Sequence, residues 1–401
     1  MRAIGMRQRK YLFLTIQQFV FLVYFILTTM IFFIGLKLGN EGITAYIFGG
    51  DDGFFYWEQA KNIAAGRDAI LTSIYPLIIG YLIKITGIES VYIIRIFNYC
   101  GFILLVLLSI YLIEMLFKLE GRKIESKYAL SAKILLLVCF LFYASLQMNV
   151  NLSIYRDIWI YTLYVLSIIL SIRIIFYKKK RFLYLLLLIP SLWLLGAFRR
   201  YALLSFLLTI IIYYGYRKFK GSKKPYGAII VVLIFFGIYY TFFMDYIVPV
   251  VNMSLRAALN YRLSSLTIHF GGSQMWISLD HENFLIFLIN YFHSYIGNLL
   301  GPLPWHISGT ATLFVFFVES IPMTLILMFL WRKRNLISSV QKYVLLHSFI
   351  WISLIAVSND NIGTATRLRP VAWILIIIVF VSVYSKNRYF KNNKISIKLN
   401  S

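Results

Sequence analysis

Carboxylates are scarce in this chain: 15 Asp and Glu stand against 40 Lys and Arg among 401 residues, for a net charge of +25. Charge of either sign is thin as well, at 14% of residues, where a soluble domain carries about 25%. There are two cysteines, Cys100 and Cys139, and both lie inside apolar runs, where a thiol serves as a small core residue. They provide no disulfide framework and carry no information on redox compartment. Internal repeats, heptad runs and low-complexity tracts are missing, which excludes solenoids and coiled coils. No polar stretch is long enough to fold as a separate soluble domain.

What fills the chain instead is apolar: 60% hydrophobic and 18% aromatic residues. Runs of roughly 17–25 apolar residues recur along nearly the whole length, each able to cross about 30 Å of hydrocarbon as a helix. The sequence therefore predicts an all-α, polytopic integral membrane protein, a single transmembrane domain over 1–401. The positive charge falls in short clusters between apolar runs rather than on one face of a soluble fold, so it points to anionic lipid headgroups and not to nucleic acid. The basic N-terminus leads into an apolar stretch too long for a signal-peptide core, which reads as a retained first span.

Ten spans fit the pattern, at roughly 11–36, 91–117, 129–147, 158–177, 182–197, 201–216, 227–244, 309–331, 341–358 and 371–385. With that count the basic clusters share one side: Arg7 to Lys10, Lys118 to Lys127, Lys178 to Arg181, Arg217 to Lys224, Arg332 to Arg334 and the tail from Lys386. The positive-inside rule makes that side cytoplasmic, with both termini, in a cell membrane. The outer face then receives the first loop (37–90), the turn at Arg156 and Asp157, the turn "FRRY" (198–201), a long segment (245–308) and "NDNIGTATRLRP" (359–370). Residues 70–87 and 284–300 are apolar but interrupted by polar residues, and they read as helices lying in the interface or dipping into it.

The first loop holds "GGDDGFFYWEQAKNIAAGRD" (49–68), with Asp51 and Asp52 side by side. An aspartate ahead of a helix caps free N–H groups and complements the helix dipole, worth about 0.5–2 kcal/mol. One cap needs one carboxylate, and the second remains to be used. A glycosidase pair must flank a sugar from opposite sides about 5–10 Å apart, whereas neighbours in sequence diverge. A single general base suits the spacing better. When a sugar leaves a polyprenyl phosphate, the departing group is a stabilised anion that needs no acid, but the attacking hydroxyl must lose its proton, and one carboxylate can take it. Tyr56 and Glu58 on the same predicted helix are candidates for binding substrate. No cofactor is expected; the doublet could alternatively hold Mg²⁺ or Mn²⁺ against phosphate oxygens.

Such chemistry also asks for cations at the phosphate, and arginine is suited because its fork holds two oxygens and keeps its charge. Arg199 and Arg200 sit in a tight turn between spans, and Arg367 and Arg369 precede the last span. Both pairs run against the charge bias of the outer side, so they are the candidates for donor phosphate binding, although snorkelling anchors are common at span ends. Arg156 and Asp157 form a local charged pair with a candidate substrate role. The segment 245–308 adds Arg262, with Tyr261, Trp276 and Trp305 available to stack on sugar rings, like a lid. No two histidines there have the spacing of a zinc motif, and "DHEN" alone is weak, so no metal site is expected.

The acidic doublet, Tyr56 behind it, "A…IAAG" at Ala60 to Gly66, and Tyr75-Pro76 opening a second helix that runs to Ile85–Gly87 resemble the first loop of the GT-C superfamily, the polytopic glycosyltransferases that use polyprenyl-phosphate sugars. The likeness covers roughly 50 residues. It implies that Asp51 or Asp52 is the base or positions the acceptor, and that outward basic residues hold the donor phosphate. "NIGTATRLRP" and "GPLPW" also resemble membrane proteins of bacterial capsule and surface-polysaccharide loci, which makes an O-antigen-type polymerase the first alternative. The expected activity is transfer of a sugar from a polyprenyl-phosphate donor to a hydroxyl of a cell-surface glycan. A lipid-linked glycan transporter is the third reading, disfavoured because the charges gather at the outer boundary and not at mid-membrane.

Overall fold

The computed structural model describes residues 6–45, 52–120, 126–177, 179–219, 234, 236–268 and 273–399. It is all-helical: the described residues contain no strand, only two isolated bridges, Val248 with Met253 and Gln274 with Asn361. Seven helices are long and apolar enough to cross a membrane: Met6–Lys37, Val91–Leu119, Asp157–Tyr177, Arg181–Phe198, Thr310–Arg332, Ser339–Ser358 and Pro370–Tyr389. An eighth span arises if the bent pair Tyr128–Phe142 and Ala144–Asn151, 66° apart, crosses as one. Seven or eight helices of this length and apolarity are compatible with a multi-pass membrane protein, because helices satisfy their own backbone in lipid.

The expected run at 129–147 is thus broken at Tyr143. The expected span at 201–216 corresponds to Arg200–Phe219, which is not among the seven; its four tyrosines and basic ends dilute the apolar run. Of the expected span at 227–244, residues 227–233 and 235 lie outside the described residues.

The chain divides into two compact units. The first comprises Met1–Arg199, Met328–Lys342 and Ile374–Ser401, the second Arg200–Leu327 and Tyr343–Trp373.

In the first unit, α1 (Met6–Lys37) buries Val20, Tyr24, Thr28 and Gly35, a stripe with the period of a helix. Tyr24 stacks on Phe102 of α4 (Val91–Leu119) at 3.7 Å between ring centroids and donates to Phe140 O. The opposite side of α1, with Phe19, Leu22, Ile26, Met30 and Phe33, is exposed, as a lipid-facing surface would be.

Between α1 and α4 lie α2 (Asp52–Ala64) and α3 (Tyr75–Thr86). The "A…IAAG" and "YP…ITG" patterns fold as their sequence predicts: Gly66 and Gly87 follow these helices with φ of 70° and 68°, the left-handed conformation that glycine takes without steric cost. Pro76 sits in the first turn of α3, where its missing N–H costs nothing. The two helices approach closely at Gly80, where a Cβ would fall 2.7 Å from Ile63 Cβ. Arg95 of α4 fixes the chain entering this region, donating to Gly42 O, Ile43 O and Asn151 O at 2.8, 2.7 and 2.6 Å.

In the second unit an apolar core of Tyr240, Leu259, Met275, Ile277, Leu279, Phe287 and Ile362 gathers around the extended segment 274–280. Along it buried Met275, Ile277 and Leu279 alternate with exposed Trp276 and Asp280, the period-two pattern of a half-buried extended chain.

Candidate functional site

Asp52 is exposed in the first turn of α2, and Asp51 lies outside the described residues. Tyr56, one turn further along the same helix face, is buried. The Arg156 guanidinium lies over its ring, 5.7 Å from the centroid. The helix α7 (Asp157–Ile172) begins at the next residue. Asp157 has no exposed surface and pairs with Arg199 Nη1 at 3.0 Å. Each charge also suits its helix end: Asp157 complements the N-terminus of α7, and Arg199 follows the C-terminus of α8 (Arg181–Phe198).

Tyr75 closes this cluster from α3. Its ring meets Tyr56 edge-on at 5.3 Å and lies 6.3 Å from Phe198. Burial pushes the Tyr75 phenol well above its ordinary pKa, so it stays a neutral donor, bonded to Asn98 Oδ1 at 3.1 Å. Asn98 also accepts from Trp159 Nε1 and donates to Tyr155 O. Its three partners hold the chain leading into Arg156 and Asp157.

The orientation of α2 is set from outside the cluster. Trp57 Nε1 donates to Glu41 Oε2 at 2.5 Å, Lys61 Nζ lies 3.2 Å from Glu41 Oε1, and Gln59 Oε1 accepts from Ile70 N at 2.7 Å. Glu58 is exposed and stands about 200° round the helix from Tyr56, so the structure separates it from the cluster.

An apolar groove of about 370 Å³ runs along α3, lined by Ile74, Leu77, Ile78, Tyr81, Leu82 and Ile85, with Phe97 of α4 as its other wall. Its first residue, Ile74, donates its N–H to Ala197 O at 3.0 Å, two residues before Arg199. One end of the groove is therefore tied to the last turn of α8, which Arg199 follows. Such a site fits an amphiphile with an anionic head.

The remaining predicted residues belong to the second unit. Arg200 is exposed at the start of α9 (Arg200–Phe219). Arg262 is buried on α10 (Leu255–Ile268) and committed to the framework. It pairs with Asp360 and donates to Ser294 Oγ, Ile277 O, Ala356 O and Asn359 O. Burial lowers the Arg262 pKa to about 10 even beside the Asp360 carboxylate; Asp360 is in turn raised, by its own burial first. Asp360 also accepts from the backbone N–H groups of Trp276 and Ile277 at 2.9 and 3.1 Å. Its grip holds Trp276 at φ 58°, a conformation that costs a bulky residue about 1–3 kcal/mol.

Arg369 is fully buried. Its Nη2 bonds Glu319 Oε2 at 2.6 Å, another nitrogen donates to Gly301 O, and the guanidinium lies 4.2 Å from the Trp373 ring centroid. Glu319 sits in a π-helical turn, Phe316–Ser320, within the span Thr310–Arg332. Arg367 is half-buried on the short helix Ile362–Leu368. Trp305 is exposed and donates through Nε1 to His293 Nε2 at 3.1 Å.

The structure thus brings Asp52, Tyr56, Arg156, Asp157 and Arg199 onto neighbouring elements of one unit. Tyr75, Asn98, Glu319 and Asp360 had no assigned role in the sequence reading. Glu319 carried a signal, as an acid inside an apolar run; the partners of Asn98 and Asp360 come from distant segments and left none. Among the described residues no group of three or more His, Cys, Asp or Glu side chains is placed to hold a metal ion.

Comparison with protein-family models, with curated proteins and with solved structures gives no match to this chain. What the helices themselves define is the class, an all-helical chain with seven or eight helices long and apolar enough to cross a membrane.

Proposed function

We propose that this protein is a membrane glycosyltransferase, moving a sugar from a polyprenyl-phosphate donor to a hydroxyl of a cell-surface glycan on the extracytoplasmic side. The observation that carries the reading is an apolar groove whose first residue bonds the last turn of α8, just ahead of the Arg199–Asp157 pair, with Arg156 over Tyr56 on a helix that opens on an exposed aspartate. The isoprenoid tail follows the α3 groove, and Arg199, with Arg156 beside it, receives the phosphate. Arg200 and Arg367 retain surface for an anion. Arg369 fits that role less well, because Glu319 already neutralises it.

In the reaction the acceptor oxygen attacks the anomeric carbon as the bond from that carbon to the phosphate oxygen breaks. The electron pair leaves with the polyprenyl phosphate, whose charge the guanidinium groups stabilise. The acceptor proton passes to the carboxylate of Asp52 or of Asp51 beside it. Attack opposite the departing phosphate inverts the anomeric centre.

The test uses purified protein in lipid nanodiscs, with radiolabelled lipid-linked sugars extracted from the native membrane. Asp52→Asn, Asp51→Asn and the double variant are compared with wild type. The double variant should lose at least about 100-fold in product, the contribution of a general base, while keeping donor binding and thermal midpoint. Transfer of a whole oligosaccharide block from a pyrophosphate carrier would replace this reading with a polymerase. Lipid-linked glycan crossing the bilayer with the double variant as with wild type would replace it with a transporter.

A further inference from the structure

Trp276 is the one bulky residue among the four non-glycine residues of positive φ found in the described chain, the others being Glu41, Lys180 and Asn252. Polar residues with short side chains visit this region more readily than an indole does. The strain is not relieved by burial, because the Trp276 side chain is 65% exposed. The segment is held down from below: Asp360 takes the N–H groups of Trp276 and Ile277, Arg262 Nε donates to Ile277 O, and Met275 N donates to Asp360 O. A buried ion pair thus enforces a backbone whose visible product is an indole displayed to the outside.

A second exposed indole lies on a neighbouring segment. Met275 and His306 both pack against Gly297, where a Cβ would fall 2.5 Å from Met275 Sδ and 3.5 Å from His306 Cε1. Trp276 follows Met275, and Trp305 precedes His306, so the two segments that meet on this glycine each present an exposed tryptophan. Trp305 is oriented by its bond to His293 Nε2, and the His293 ring stacks on His306 at 5.6 Å.

Tryptophans that anchor a protein in the headgroup layer need no unusual backbone, since any helix end supplies the position. Rigid flat faces held out at fixed points suit a ligand with an apolar face and a polar edge. A pyranose ring has that character: its axial C–H groups carry partial positive charge toward the electron-rich ring face, and its hydroxyls stay in water. We infer that Trp276 and Trp305 form a carbohydrate-stacking platform in the second unit, which binds pyranose rings whether or not a transfer reaction follows. This gives two of the indoles expected to stack on sugar rings a binding role that does not depend on the transfer reaction proposed above.

The experiment uses the full chain in nanodiscs and a panel of methyl hexosides, methyl N-acetylhexosaminides and methyl pentosides as probes. Emission belonging to Trp276 is taken as the difference between wild type and Trp276→Phe. It should be quenched by acrylamide, shielded by at least one glycoside of the panel, and insensitive to brominated phospholipid. Trp276→Gly removes the ring and accepts the backbone conformation. It should therefore melt no lower than wild type while losing glycoside affinity about 2- to 10-fold, the range of one aromatic contact. Asp52→Asn should leave glycoside binding unchanged, which separates this platform from the transfer reaction. Quenching by brominated lipid would make Trp276 a membrane anchor and overturn the inference. A lower melting point for Trp276→Gly, or binding by no glycoside of the panel, would overturn it as well.

Discussion

Arg199 and Arg262 are both paired with an aspartate, yet they stand in opposite situations. Arg262 is 1% exposed and its donors go to Asp360, a serine and three carbonyls. Arg199 keeps 11% of its side chain exposed and follows the helix end to which the first residue of an apolar groove is bonded. The first ties together segments 94 to 98 residues apart in sequence; the second fixes a cation next to open surface. The two arginines thus differ in burial and in the segments they join, and charge alone does not distinguish them.

The sharpest way to break this contrast is to remove each cation's anchor. Arg262→Met leaves Asp360 buried without its partner, and such losses cost about 3–5 kcal/mol. The expected outcome is a collapse of the thermal midpoint in detergent, or no recoverable folded protein. Arg262→Lys should rescue little, because an ammonium cannot reproduce the fork.

Asp157→Asn tests the other side. The Arg199 guanidinium then loses a charged partner but keeps some access to water, so the stability cost should be smaller, about 1–3 kcal/mol. The informative readout is kinetic: the KM for the lipid-linked donor should rise several-fold and kcat should fall as well, because the cation both binds the phosphate and stabilises the charge it gains as the sugar leaves. A rise in KM with kcat unchanged would confine Arg199 to binding the donor.

The smallest effect concerns pH. All five histidines lie in the second unit. Burial, and secondarily the neighbouring His293, lowers the His306 pKa from 6.5 to about 4. A depressed folded pKa means that the unfolded chain binds the extra proton first. Stability is therefore complete above pH 6.5 and declines as pH falls toward 4. Asp360, raised by burial, acts in the opposite sense near the lower end, so the slope is best read in the upper half of that window. Thermal midpoints should drop on acidification through it, and His306→Gln should flatten the dependence.

Much of the helical plan was legible because apolar runs and their terminators are local. The expected spans at 91–117 and 341–358 correspond to Val91–Leu119 and Ser339–Ser358, and the helix of "FFYWEQAKNIA" closes ahead of Gly66 as its residues suggest. The break at Tyr143 was invisible to hydropathy, since its flanks are equally apolar on one side and only mildly polar on the other. Within the candidate site, Tyr56, Arg156, Asp157 and Arg199 were nameable from residue type and position. Their grouping was not, because Arg199 finds Asp157 across 42 residues by way of the packing of α7 on α8. Glu58 shows the opposite failure: neighbours in sequence can face opposite sides of a helix.

The Glu319 and Arg369 pair also constrains how the protein is made. The acid is synthesised 50 residues ahead of its cation, inside a helix long and apolar enough to cross a membrane. A lone carboxylate partitions poorly into hydrocarbon. The helix that bears it therefore carries a cost until the later segment supplies the cation, and the pairing favours the two helices side by side over either alone.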